Sequence, residues 1–174
     1  HLLVIKKEKN FLKMLKILQL NYSRIFLSFL ILITFYTQSC ADILKPSINI
    51  DPKEVVQIQL SALMKNDSPY KDRGILQTWE FAHPDNQKFT GPVEKFKNMI
   101  KTPSYSMLLN HKQHEITEIY KSENTATYEV IILGNNKNYY KFKWQVEKNI
   151  LYTDRKDCWL TTAVSQPMNL GSSI

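Results

Sequence analysis

Residues 125–148 read TATYEVIILGNNKNYYKFKWQVEK, and this stretch decides the fold. Its first part, Thr125 to Leu133, is rich in the β-branched and aromatic residues that favour strands. After a loop from Gly134 to Asn138, apolar and polar side chains alternate one by one, as on a strand with one buried face. The stretch therefore predicts an antiparallel hairpin whose second strand directs four apolar side chains into the core: Tyr140, Phe142, Trp144 and Val146.

Two further strands are predicted around this hairpin. From His111 onward the spacing of apolar residues changes from the three or four of a helix to the two of a strand, so a strand is expected to begin there. A last strand is expected over about Asp157 to Ser165. Strict alternation on that strand places Trp159 on one face and four residues on the other: Cys158, Leu160, Thr162 and Val164.

Three short helices are predicted ahead of the strands. The pair Asp51-Pro52 supplies a helix cap and a proline at the first helical position, and the apolar spacing continues to Asn66. A second helix is expected over 75–82, stopped by His83-Pro84, and a third after Gly91-Pro92. Helices first and an antiparallel sheet of about four strands afterwards indicate an α+β fold, with the helices on one face of the sheet.

Residues 1–41 are predicted to be an export segment. The apolar run IFLSFLILITFY at 25–36 follows Lys13, Lys16 and Arg24, and it is shorter than the roughly twenty residues that span a bilayer. Three alternatives stay open: cleavage before a lipidated Cys40, cleavage after Ala41, or an uncleaved membrane anchor or plastid-type presequence. Behind it we expect a linker at 42–50, one domain at 51–166 and a flexible tail at 167–174.

The net charge of +7 does not indicate a nucleic-acid partner. Six of the 23 Lys and Arg side chains, but one of the 16 acidic ones, precede Cys40. The rest of the chain is nearly balanced, and its bases are interspersed with acids rather than gathered into a patch that would follow phosphates. The excess charge belongs mainly to the predicted export segment.

Several motifs, in order, resemble the domain of unknown function 4864 family over about residues 55–164. They are VVQIQL at 55–60, Gly74-Ile75, WEFA at 79–82, Thr90-Gly91-Pro92, LLNH at 108–111 and Cys158-Trp159. The resemblance implies a relative of the nuclear-transport-factor-two-like, or SnoaL-like, fold, in which a curved sheet wraps the helices into a cone with a pocket. The N-terminal segment predicts export to a bacterial envelope or periplasm, with a plastid, thylakoid or secretory route as the alternative, and the occurrence of the family in bacteria and photosynthetic lineages would suit either.

The chain offers few residues with catalytic or metal-binding spacing. His111, His114, Glu115 and Glu118 form the densest cluster of metal-capable side chains, but strand residues three apart point to opposite faces, so no metal site and no cofactor is predicted. No G-x-S-x-G, phosphate-binding or dinucleotide-binding glycine motif occurs. The catalytic residues therefore stay unknown, and the residues expected to line a pocket are Trp79, Tyr105 and His111.

Two functions are compatible with this sequence. The first is a non-catalytic exported module that binds a small apolar ligand or a protein partner, held at a membrane if its N-terminal segment is retained or lipidated. The alternative is a small pocket enzyme of the isomerase, hydratase or lyase type, which needs a titratable group that faces the cavity. The residues that face the cavity distinguish the two.

Overall fold

The computed structural model describes residue 19 and residues 42–172. The chain divides into two units, His1–Cys40 and Ala41–Ile174, and the second is described here. Apart from residue 19, the predicted export segment lies outside the described residues, as do its cleavage sites and Cys40. Among the residues that are described, no helix is both long and apolar enough to cross a membrane.

The described chain forms helices first and an open antiparallel sheet afterwards, which confirms the predicted α+β class. The helices are α1 (Pro52–Met64), α2 (Arg73–Glu80), α3 (Pro84–Thr90) and α4 (Val93–Ile100), followed by a 3₁₀ turn (Ser106–Leu108). The strands are β1 (Gln113–Lys121), β2 (Thr125–Leu133), β3 (Asn138–Lys148), β4 (Trp159–Val164) and β5 (Met168–Ser172). The sheet order is β1-β2-β3-β4, and β5 also pairs with β3.

Helix α1 begins where the sequence predicts it. The Asp51 carboxylate accepts a hydrogen bond from the Glu54 amide at 2.9 Å, and Pro52 occupies the first turn, where its missing N–H costs nothing. One face of the helix packs into the core through five apolar residues and one amide: Pro52, Val55, Val56, Leu60, Leu63 and Gln59. The buried amide on this apolar face belongs to the site described below.

Gly74 allows α2 to pack directly on the end of α1. The Gly74 amide donates to the Asn66 carbonyl at 2.9 Å. A Cβ atom at this position would lie 2.2 Å from the Ala62 carbonyl oxygen and 2.8 Å from the Asn66 Cα. Both contacts are with backbone, so a side chain larger than hydrogen cannot be accommodated without moving a helix.

The prediction of three helices was incomplete, because His83-Pro84 ends one helix and also begins another. The His83 Nδ1 accepts a hydrogen bond from the Asp85 amide at 3.2 Å, and Pro84 opens α3. The imidazole therefore caps the start of a helix, although the sequence suggested only a stop. Gly91, with φ of 85°, ends α3 in a conformation that favours glycine.

The alternation on β3 is confirmed. Tyr128 of β2 lies opposite Trp144 of β3, and both are buried on the face that the helices cover. Strand β5 pairs with the first residues of β3 on the edge opposite β2, so residues 168–172, within the segment predicted as a tail, form part of the sheet.

The predicted alternation on the last strand was wrong. Four consecutive residues are buried: Cys158, Trp159, Leu160 and Thr161. The register between β3 and β4 shifts, because Gln145 lies opposite Ala163 whereas Val146 lies opposite Thr161. A bulge of this kind breaks the period of two and redirects side chains.

The turn between α2 and α3 is hydrogen-bonded to β4. The His83 amide donates to the Thr161 carbonyl, and the Thr161 amide donates to the Phe81 carbonyl, each at 2.8 Å. Ala82 and Thr161 thus form a parallel bridge. This connection fixes the first turn of α3 beside β4, and the cavity described next lies there.

Candidate functional site

A cavity of about 200 Å³ lies between the helices and the β3–β4 part of the sheet. Its walls are mainly aliphatic and aromatic, and they come from every helix and from both strands. Its lining residues include Gln59, Phe89, Tyr105, Leu108, Trp144, Thr161 and Ala163.

Gln59, Trp144 and Thr161 form a closed hydrogen-bonded group in the wall of this cavity. The Trp144 indole N–H donates to the Gln59 Oε1 at 3.1 Å and to the Thr161 Oγ1 at 3.2 Å. The Thr161 hydroxyl in turn donates to the Gln59 Oε1 at 2.6 Å. All three side chains are buried, so this polar group is fixed by its own partners rather than by water.

The indole fixes the orientation of the Gln59 amide. An indole N–H can only donate, so the atom that it meets must be the amide oxygen. The Gln59 Nε2 donates to the Thr78 carbonyl at 3.0 Å, and an amide nitrogen carries two N–H groups. One N–H of a cavity-lining residue is therefore left over for a further acceptor.

Tyr105 and Phe89 also line the cavity, and Phe89 stands at its rim. The Tyr105 hydroxyl accepts a hydrogen bond from the Gln166 side-chain amide at 3.2 Å, and burial raises the pKa of this phenol above its ordinary value. Phe89 projects from α3 with 87% of its surface exposed, although it lines the cavity. Tyr105 therefore stays neutral at physiological pH, and a large aromatic ring stands at the rim.

The three residues predicted to line a pocket lie in three different places. Tyr105 lines the cavity. Trp79 packs against Phe96, with ring centroids 5.0 Å apart, and borders a separate open groove beside Arg155. His111 is buried, with 2% of its surface exposed, and does not line the cavity.

The four helices, strands β1 to β4 and every residue that lines the cavity lie between residues 52 and 164. The model of the family described as Domain of unknown function (DUF4864) matches residues 48–166. The chain belongs to this family. No curated protein and no solved structure matches the chain. The family description assigns no activity, so the function of this DUF4864 domain depends on the chemistry of its own residues.

Two of the three histidines of the DUF4864 domain, His111 and His114, contact each other, contrary to the expectation that they point to opposite faces. Because β1 begins only at Gln113, His111 precedes the strand and is not bound by its alternation. The His111 Nε2 lies 2.8 Å from the His114 Nδ1, and the ring centroids are 5.0 Å apart. Within the described residues, no group of three or more His, Cys, Asp or Glu side chains could hold a metal ion.

Three other sequence features have structural roles. The His83 imidazole is buried at the start of α3, and burial lowers its pKa. Cys158 is a buried free thiol whose pKa burial raises, which is the environment of an unreactive core cysteine. Asn66 begins the sequence Asn-Asp-Ser, a formal glycosylation site, yet its side chain is buried and accepts the Ile75 amide at 3.1 Å.

Gln59, Thr161 and Phe89 were missed by sequence reasoning. Gln59 did carry a signal, because it lies three residues after Val56 and four before Leu63, on the apolar stripe of α1. A polar residue at such a position needs a buried partner. Thr161 and Phe89 carried no such signal. Thr161 reaches the cavity because of the bulge in β4, and Phe89 reaches it because it lies on α3, a helix that the sequence did not predict.

Proposed function

We propose that the DUF4864 domain is a non-catalytic binding module that takes one small, neutral, mainly apolar molecule into the cavity beside Gln59. The volume supports this class of ligand. A dry apolar cavity of about 150 Å³ accepts benzene, and this one measures about 200 Å³. The space therefore suits a single ring with a short substituent, or a short aliphatic chain.

The second N–H of the Gln59 amide favours ligands with one kind of polar group. It is a donor in a wall where the amide oxygen already accepts from Trp144 and Thr161. A donor buried without a partner costs roughly 1–3 kcal/mol. A carbonyl or ether oxygen on the ligand would satisfy it, so we propose a ligand that bears a hydrogen-bond acceptor.

The side chains that line the cavity support binding over proton transfer. Tyr105 is the one titratable side chain among its lining residues, and its raised pKa keeps it protonated. An isomerase, hydratase or lyase needs a group that exchanges a proton near neutral pH. The enzyme alternative stays a prediction, and it would have to use this phenol.

The test compares two fluorinated probes of nearly equal size by ¹⁹F NMR with the full chain. 4-Fluoroacetophenone carries a carbonyl acceptor, whereas 1-ethyl-4-fluorobenzene does not. We expect saturable binding of the ketone that is at least about tenfold tighter than that of the hydrocarbon, since one buried hydrogen bond is at stake. Equal affinity for both probes would contradict the proposed hydrogen bond from Gln59 to the ligand.

Two variants locate the binding. Ala163 is exposed on β4 and lines the cavity, so Ala163→Trp should obstruct it without disturbing the core. Thr117 is exposed on β1, and Thr117→Trp adds the same ring far along the sheet. Binding should be lost in the first variant and kept in the second. Unchanged binding to Ala163→Trp would show that the ligand does not use this cavity.

The compartment is a second part of the proposal. We propose that residues 1–41 direct the chain out of the cytoplasm, with Cys40 as a lipid attachment site. The support is the apolar run at 25–36 behind a basic flank, and the small residue Ser39 ahead of the cysteine. A membrane would then be a partner through this segment.

A further inference from the structure

The segment that follows the predicted export segment lies along one face of α2. Its residues 42–46, called the strap here, form neither helix nor strand. The Arg73 Nη2 donates to the Asp42 carbonyl at 3.1 Å, and the Lys45 Nζ lies 3.0 Å from the Glu80 carboxylate. These contacts advance in the same direction along both segments. The strap therefore runs parallel to α2.

The side chain of Gln77 binds the backbone of the strap. The Leu44 amide donates to the Gln77 Oε1 at 2.8 Å, and the Gln77 Nε2 donates to the Leu44 carbonyl at 2.8 Å. One residue of an antiparallel strand exchanges the same reciprocal pair of bonds with its partner. Gln77 is 2% exposed, whereas Leu44 is 48% exposed. The contact thus depends on the Leu44 backbone more than on its side chain.

The sequence of α2 places the strap contacts on one face of the helix. Arg73, Gln77 and Glu80 are spaced by four and three residues, which is the spacing of helix neighbours. A buried side-chain amide needs hydrogen-bond partners. Both hydrogen bonds that the described structure gives to the Gln77 amide are with Leu44. Because an unpaired buried amide is unfavourable, this face of α2 favours a bound peptide backbone.

The sequence of the strap suits this extended arrangement. Pro46 disfavours the helical conformation at the residue before it, Lys45. Binding of an extended segment through its backbone N–H and C=O groups is a general mode of peptide recognition. A protease that binds its substrate in this way needs the same groups. The backbone of Leu44 cannot pair with Gln77 and with a protease at once.

We propose that α2 is a peptide-binding surface occupied by the strap, and that this contact protects the junction behind the export segment from cleavage in the folded chain. The two cleavage sites considered for this junction, before Cys40 and after Ala41, lie within two residues of Asp42. Removal of the export segment then requires an open strap, as in a chain that has not yet folded. The protection stands on the strap contacts, and only its link to processing rests on the export proposed above.

Limited proteolysis of the full chain measures this protection. An endoprotease that cuts before aspartate attacks the bond between Ala41 and Asp42, and mass spectrometry identifies the product that begins at Asp42. A synthetic peptide of residues 37–48 gives the rate for the same bond without α2. Because cleavage follows the population of the open form, we expect the folded chain to be cut at least about tenfold more slowly than the peptide. Equal rates would overturn the proposal.

Variants on both sides of the contact assign the protection to the strap. Gln77→Met keeps a long, helix-forming side chain but loses both bonds to Leu44, so cutting should be at least about fivefold faster. Leu44→Pro removes the amide donor without changing the core, and should act in the same direction relative to a peptide with the same change. Unchanged cutting of both variants would refute the role of the strap. If Gln77→Met does not fold, Leu44→Pro decides.

Two control variants keep the contact between Leu44 and Gln77. Leu44→Ala retains the backbone amide and carbonyl, so cutting should stay within about twofold of the original chain. Lys45→Met removes an ion pair whose lysine is 72% exposed, and it should also stay within about twofold. Faster cutting of Leu44→Ala by as much as Leu44→Pro would assign the protection to the leucine side chain and reject backbone recognition.

Hydrogen exchange distinguishes release of the strap from general unfolding. The Leu44 amide should be protected in the original chain and should lose this protection in Gln77→Met. The amide of Val130, on the central strand β2, should stay protected in both. An unprotected Leu44 amide in the original chain would contradict the strap.

Solubilised bacterial inner membranes, which contain signal peptidases, test the link to processing. The folded Gln77→Met chain should be processed at least about fivefold faster than the folded original chain. Equal processing of the two would refute control of processing by the strap. Failure to process either chain would refute the proposed export segment, and the endoprotease result would still decide whether the strap protects the junction.

Discussion

Replacing Trp144 by alanine tests the core and the cavity together. The side chain is 1% exposed, lies on the inward face of β3 and lines the cavity. The Thr161 hydroxyl still donates to the Gln59 Oε1 after the change, so no buried acceptor is left without a partner. The cost should therefore come mainly from lost packing.

The magnitude follows from the volume removed. An indole side chain exceeds a methyl group by about 140 Å³, and residual void costs about 24 cal/mol per Å³, which gives about 3 kcal/mol. Loss of the indole hydrogen bonds adds about 1 kcal/mol. We expect Trp144→Ala to lower the free energy of unfolding by about 3–5 kcal/mol.

Urea unfolding followed by circular dichroism measures this difference, and the melting temperature should fall by roughly 10–20 °C. Trp144→Phe, which keeps a ring, is the control and should cost less than half as much. Indole added to Trp144→Ala should fill the void and raise its melting temperature. A Trp144→Ala protein as stable as the original would mean that this face of β3 does not carry the core.

Four further predictions concern other parts of the chain. The His111 pKa lies below that of an unfolded histidine, so the unfolded state binds the proton more tightly, and stability should fall by up to about 3 kcal/mol as pH drops from about 6.5 to 4, which a series of urea titrations would detect. Gly74→Ala should cost at least about 2 kcal/mol in the same assay, because its methyl group meets the Ala62 carbonyl, and a neutral result would mean that α2 can shift. In a bacterial host, a palmitate analogue should label the chain but not Cys40→Ser, and equal labelling of both would reject lipidation at Cys40. A protein that begins at Asp42 should fold without residues 1–41, and a molten truncated protein would assign them a structural role.

Residue patterns within a few positions along the chain determined much of the fold. The alternation on β3 correctly oriented Trp144, because successive strand residues point to opposite faces whatever the rest of the chain does. The Asp51-Pro52 pair correctly placed the start of α1, because a cap acts within three residues. These features depend on spacing in the chain, so the sequence alone contained them.

The start of β1 and the presence of α3 were not determined in this way. A histidine before a proline can end one helix or cap the next, and His83 does both. His111 looked like a strand residue, but it lies ahead of β1, where its ring can reach His114. In both places a short polar segment was compatible with two conformations, and packing against α1 and β4 selected one.

The candidate site was decided by the tertiary structure. Gln59 and Thr161 are 102 residues apart, and their hydrogen bond exists only after α1 has packed against β4. The sequence showed that a polar residue interrupts the apolar stripe of α1, but not which residue would satisfy it. A bulge in β4 and the pairing of Thr161 with the turn before α3 supply that partner. Local sequence sets the conformation of each segment, whereas a cavity lies between segments, and its lining depends on how they pack together.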